Sequence, residues 1–321
     1  MDGSQNRNRE EPNMVDTKRN VSLVFDISNL LHRTFFVQKE VDDDTLAGLA
    51  THTALVTLNK YFKRFNPTRV VCVFDRSSWR KEYTASEACL SKKSYKGNRR
   101  KDMTPAQAEK YARFLNHLAE FEAVIQSHTS MMALACKLCE ADDLIGGFCQ
   151  IFDTPDDEII VISADSDLLQ LTKYKNVRVI SPATDKEQSL EKYNNDPLYY
   201  LFHKCVRGDP TDNIQSAFPN VRSVRIAKAY SDEYERIQLM QETWTAGDDV
   251  FVVGDLFKEN EMLIDLTKQP PAIKRAILTT IDDEINRSKQ FSMFHFLKFI
   301  GKYELVRIKE GIEQYIPMLS R

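Results

Sequence analysis

EIIVISADSDLLQL, residues 158–171, joins an unbroken apolar run to two aspartates, Asp165 and Asp167, that stand one residue apart. Such a run suits a strand buried on both faces, as in a parallel sheet, and lacks the in-out alternation of a half-exposed strand. Two upstream segments repeat the arrangement: VSLVFD (21–26) ends in Asp26 and VVCVFD (70–75) ends in Asp75. VRVI (177–180) is a further strand, and AVIQ (123–126) and MMALAC (131–136) read as two more. TLAGLATHTALVTLNKYFKRF (45–65) and TPAQAEKYARFLNHLAEF (104–121) read as helices, the second with Thr104 as N-cap and Pro105 at its first helical position. Strands alternating with helices predict an α/β fold with a central, mainly parallel sheet and flanking helices.

Open parallel sheets bind ligands at the carboxyl ends of their strands. Asp26, Asp75 and the Asp165/Asp167 pair each follow such an end. Neighbouring strands would bring these four acids together, where they would repel one another and raise each other's pKa. A divalent cation removes the conflict, and hard oxygen ligands suit Mg²⁺. CEADDLIG adds Glu140, Asp142 and Asp143, and RGDPTDNI adds Asp209 and Asp212. Each of these two has a plain alternative as a helix start, where acids favour the dipole and Asp209 could cap a helix opened by Pro210. Asp42–Asp44 read as a solvated helix cap. Nine carboxylates exceed the needs of one ion and suit a two-ion clamp on a phosphoryl displacement, with Mn²⁺ able to substitute for Mg²⁺.

The chain has 321 residues and a net charge of −3, so it is not generally basic. Cations are nonetheless gathered at 80–101, where eight Lys/Arg face two Glu, a local charge of +6 that would suit a phosphate substrate. No apolar stretch is long enough to span a bilayer. The first twenty residues read as a solvated tail without a signal peptide's apolar core, and Met14 is a second candidate start. Six scattered cysteines without a secretion signal predict reduced thiols and a cytoplasmic setting, that of a host cell if the protein is viral. Cys136 and Cys139 form a CxxC without a second pair, which favours packing over zinc.

The motifs FDISNLLHR, VVCVFD, YKGNRR, CEADDLIG, ISADSDLLQL and RGDPTDNI, in this order and over roughly 20–230, resemble the 5′-nuclease (flap endonuclease) family. The likeness is strongest to its bacteriophage 5′→3′ exonuclease members of the phage ribonuclease H type, and MLIDLTKQPP resembles a later family segment. The resemblance implies a PIN-like nuclease core followed by a helical DNA-binding region. It implies a first metal group of Asp26, Asp75, Glu140 and Asp142 with Asp143 close by, and a second of Asp165, Asp167, Asp209 and Asp212. Lys96 and Arg99 would act on the scissile phosphate from a helical arch, and Arg33 would bind phosphate. Arg80, Tyr95 and Arg100 of the basic segment would add DNA contacts. The sequence departs from the family at 214–230, IQSAFPNVRSVRIAKAY, which has no glycine where members carry a glycine-rich hairpin that binds a monovalent cation and the DNA backbone. Arg222, Arg225 and Lys228 are the phosphate contacts expected there instead.

The domain plan is a tail over 1–19, a nuclease core over 20–190 with its arch at about 80–121, and a helical DNA-binding region over 191–321. The expected activity is metal-dependent hydrolysis near 5′ ends or flaps of DNA or RNA–DNA hybrids, by a monomer, for primer removal in replication or repair. A single-strand-binding protein and a sliding clamp are the candidate protein partners, and no membrane is expected. His32 invites a general-base role but reads better as packing. Two rivals remain: a non-catalytic DNA-binding module on a nuclease fold, and an aspartyl-nucleophile phosphatase. The second needs an acid where Ser28 stands.

Overall fold

The computed structural model describes residues 19–37, 43–99 and 103–321. Strand β1 (Asn20–Asp26) leads through helices α1 (Ile27–Val37) and α2 (Asp43–Phe65) to β2 (Arg69–Phe74). Helices α3 (Trp79–Ala85) and α4 (Pro105–His128) precede β3 (Met132–Ala135), and α5 (Ala141–Ile151) precedes β4 (Asp157–Ile162). A 3-10 turn over Ser166–Lys173 leads to β5 (Val177–Ser181) and the short β6 (Lys186–Glu187). Then follow α6 (Pro197–Arg207), α7 (Ser223–Ser231), α8 (Glu233–Gln241), β7 (Thr243–Ala246), β8 (Asp249–Val252), α9 (Val253–Ile264) and α10 (Pro271–Asn286). The last helices are α11 (Met293–Lys302), α12 (Val306–Glu310) and α13 (Ile316–Leu319).

The main sheet has the order β3-β2-β1-β4-β5-β6, parallel throughout except for β6. Asp26 pairs with Val73, and Phe25 with Ile162, so the carboxyl ends of β1, β2 and β4 finish level. The winding reverses between β1 and β4, which opens a crevice at that edge. The unbroken apolar runs are explained by two cores. Leu23, Phe25, Cys72, Phe74, Ile160 and Ile162 face one of them, shared with α1, α2 and α4. Val24, Val71, Val73, Ile159 and Val161 face the other, under α5, α6 and α10. All six cysteines are free and buried.

Helix α4 starts as expected: Thr104 accepts from Gln107 N, and the Gln107 side chain returns the bond to Thr104 N. It runs on to His128, however, so AVIQ is helix and not strand. Phe121, Val124 and Ile125 bury one face at helical spacing, and a four-residue stretch is too short to separate the two periods. Beyond residue 190 the chain does not form one lobe. Helices α11 to α13 return Phe296, Phe299, Ile300, Met318 and Leu319 to the core beside α4, while Ile273, Ile277 and Ile281 of α10 enter the other core. The end of α6, the 217–221 loop, α7, α8, the base of α9 and the β7–β8 hairpin surround a third small core. The hairpin is an addition to a region that reads as helical. Thr243, Trp244 and Thr245 pair with Val252, Phe251 and Val250 around Gly247, whose φ of +61 favours glycine. Among the described residues no helix is long and apolar enough to cross a membrane.

Candidate active site

The crevice at the strand ends widens into a cleft of about 1950 Å³. Asp26, the last residue of β1, is 4% exposed and accepts hydrogen bonds from Asn29 N at 3.0 Å and Ser163 Oγ at 3.0 Å. Burial, then the neighbouring Asp75 charge, raises its pKa to about 7. Asp75 follows β2, and its carboxylate accepts from Ala141 N at 2.8 Å, which ties it to the start of α5. Asp142, in the first turn of α5, is pushed well up by burial and by the charges of Asp165, Asp26 and Asp75. Asp165 lies just past β4, where its side chain accepts from Asp167 N. Asp165, expected in the second group, instead faces Asp26 and Asp142, so these carboxylates oppose one another as neighbouring anions do.

Asp167, Asp209 and Asp212 form the second group, with carboxylate oxygens all within 4.8 Å of one another. A hairpin-like turn closed by mutual backbone bonds between Asp209 and Ile214 presents the last two. Lys204, in the last turn of α6, enters this group, 2.6 Å from Asp167 and 2.8 Å from Asp209. Burial alone would raise the Asp209 pKa, but Lys204 outweighs it and lowers the carboxyl. Sequence reasoning missed Lys204. Its one signal is position, since it precedes the Gly208 that ends α6 just before Asp209.

Glu140 stands between the groups. Burial would raise its pKa, but Lys96 and Arg80 reverse that and hold it at about 2. Lys96 Nζ lies 2.5 Å from Glu140 and 3.7 Å from Asp212, and Arg99 pairs with Asp212. The Tyr95 hydroxyl contacts both Glu140 at 2.9 Å and Asp212 at 2.8 Å. A wall from α1 and α4 completes the cleft: His32 and Phe36 of α1 pack together, with His32 edge-on to Phe114 of α4, near Tyr111 and Lys110.

Four further sequence expectations are corrected by this geometry. Asp143 does not join the acids: it is 0% exposed and pairs through both oxygens with Arg80, at 2.7 and 2.9 Å. Arg80 is itself 3% exposed and also donates to Leu263 O, so it cannot reach DNA. Helical spacing explains both, because consecutive residues on α5 point about 100° apart and Asp142 already faces the cleft. Tyr95 is buried as a brace between carboxylates and offers no free face to DNA. Arg33 lines a separate hollow between α1 and α2, beside Thr53 and Pro182, away from the acids. Arg100 lies outside the described residues. Arg222, Arg225 and Lys228 are exposed at α7, with Arg225 paired to Glu242 and Lys228 to Glu235.

A sequence profile for the 5′-3′ exonuclease N-terminal, resolvase-like domain matches residues 21–198, more than half of the chain. The chain belongs to that family. This exonuclease-family chain is 27% identical over 206 residues to DNA polymerase I of Streptococcus pneumoniae, covering 60% of itself and 22% of the polymerase. It thus spans about a fifth of the polymerase relatives it matches. It is 23% identical over 229 residues to a 5′-3′ exonuclease of Buchnera aphidicola, covering 67% of itself and 70% of that protein. In fold it resembles the bacteriophage T5 5′-exonuclease with zinc bound (TM-score 0.62, 19% identity, 83% of this chain and 98% of that one). It also resembles the bacteriophage T5 flap endonuclease in a pseudo-enzyme–product complex with DNA and metal ions (TM-score 0.59, 18% identity, 88% and 99%).

Proposed function

We propose that this protein is a Mg²⁺-dependent 5′-nuclease that hydrolyses phosphodiester bonds near 5′ ends or flaps of DNA or RNA–DNA hybrids. The observation that carries this reading is the pair of carboxylate groups, joined by Glu140 and Tyr95, beneath the cationic Lys96 and Arg99. The donor set fits divalent ions: every ligand atom is a hard oxygen, and the raised pKa values of Asp26, Asp75 and Asp142 mark carboxylates whose charged form a cation would favour. Asp26, Asp75, Glu140, Asp142 and Asp165 would hold one ion, and Asp167, Asp209 and Asp212 the other, with Mn²⁺ able to replace Mg²⁺. When bound, such ions lower the pKa of water and stabilise attacking and leaving oxygens. Lys96 and Arg99 would leave their carboxylate partners for the phosphate and offset the charge that grows on it. His32 packs among rings, and burial, then the Arg99 charge, lowers its pKa. It would be a wall rather than a base.

Primer removal in replication or repair would employ such a site, in a cytoplasm, by a monomer working beside a single-strand-binding protein or sliding clamp. The test is a 5′-labelled flap duplex incubated with the protein, with and without Mg²⁺, beside Asp165→Asn. Short metal-dependent products lost in the variant are expected. Binding without cleavage in both Mg²⁺ and Mn²⁺ would leave a DNA-binding module.

A further inference from the structure

Two tight turns meet over the acids. One, Ser94–Gly97, is closed by Gly97 N donating to Ser94 O, and the other, Pro210–Asn213, by Asn213 N donating to Pro210 O. Each contains a residue in the left-handed region, Lys96 at φ +54 and Asn213 at φ +59. A lysine is seldom found there, and a strained backbone persists only where its surroundings hold it. Here the surroundings are reciprocal. Asn213 Nδ2 donates to Ser94 O at 2.8 Å, and Asn98 Nδ2 donates to Pro210 O at 3.0 Å. Each amide thus takes the spare lone pair of the carbonyl that closes the other turn. Between them Lys96 N donates to Asp212 O at 2.8 Å. These contacts span more than a hundred residues of sequence, and they join the turn that carries Lys96 and Arg99 to the turn that carries Asp209 and Asp212.

The geometry points to Asn98 and Asn213 as positioning residues, a reciprocal staple that fixes the Lys96 ammonium over the carboxylates. The inference rests on the nuclease reading for its kinetic consequence, not for the staple itself. Among the described residues neither amide bonds to a carboxylate, so each acts through the turn that carries Lys96. The staple and the bond from Lys96 N to Asp212 O together hold the strained lysine in the left-handed region.

The test uses the full chain with Asn98→Ala and Asn213→Gly, the glycine keeping the left-handed backbone while removing the amide. Limited trypsin digestion first reports on the turn: cleavage after Lys96 should speed up several-fold in both variants, with thermal midpoints close to wild type. Single-turnover cleavage of a 5′-flap duplex in Mg²⁺ should then fall about five-fold for each, the effect of one lost hydrogen bond, while flap binding in Ca²⁺ stays unchanged. In a Lys96→Ala background the same substitutions should cost clearly less, since only Arg99 remains on the turn to be displaced. Trypsin rates equal to wild type would overturn the staple, as would rate losses that persist undiminished without Lys96. Failure of the wild-type chain to cleave any flap would instead count against the nuclease reading, with the trypsin rates still deciding the staple.

Discussion

Residues with one charge fare differently according to their neighbours. Asp142 and Asp143 are adjacent, yet one faces the cleft and the other is locked to Arg80. A buried pair is strongly destabilising when one member is removed, because the remaining charge is left uncompensated. Arg80→Met should therefore cost about 3 kcal/mol of unfolding free energy in urea titration. A loss of DNA affinity with unchanged stability would restore Arg80 to the surface. Four acids were legible from the strand-end pattern and five more from the CEADDLIG and RGDPTDNI motifs, and eight of the nine line the cleft. The exception and Lys204 were not legible, since helical phase at single-residue resolution is settled by tertiary packing rather than by the acids themselves.

Among elements, α4 joins α1, α2, α11, β2 and β3. His117 on α4 joins Thr51 of α2 through Nε2 at 3.2 Å and Tyr303, just past α11, through Nδ1 at 3.0 Å. Burial lowers its pKa from 6.5 to about 4, with Glu120 opposing and Lys302 assisting. A depressed pKa means that the folded state prefers the neutral ring. The stability this contributes is fully present above pH 6.5 and is lost as pH falls toward 4, to a total of about 3 kcal/mol. His117→Gln should flatten the urea-measured stability profile between pH 6.5 and 4; an unaltered slope would assign the acid sensitivity to other groups. At α7, replacing Arg222 and Arg225 together with Ala should weaken duplex binding and reduce the slope of log affinity against log salt by about 2. An unchanged slope would remove both from the interface. The strands and long helices were legible because their periods are sustained. AVIQ was not, being short, and the β7–β8 hairpin was hidden because its strands are only four residues each.

For the whole molecule, the acidic cleft opposes folding when no cation fills it. Asp26 has a folded pKa of about 7 against an ordinary 3.8. Its protonated form is the one the fold prefers, so the stability is present below pH 3.8 and is lost as pH rises through 7. Divalent ions should reverse that loss. The thermal shift produced by Ca²⁺ is expected to be several degrees larger at pH 8 than at pH 5.5; equal shifts would show that the group does not hold the ion. The order of elements and the position of the cleft followed from the apolar runs, because a parallel sheet leaves few places for charge other than its strand ends. The return of α11 to α13 into the sheet's own core did not follow, because amphipathic helices do not state which face they will cover.

The burial of every thiol has a practical side. A maleimide dye needs an accessible, ionisable sulfur, and burial pushes the pKa of Cys72, Cys139, Cys149 and Cys205 up. Fluorophores can then be attached at engineered surface cysteines on the basic turn and on the hairpin without first deleting the native ones. Energy transfer between two such dyes would follow, in single molecules, whether the roof over the acids lifts when a strand enters.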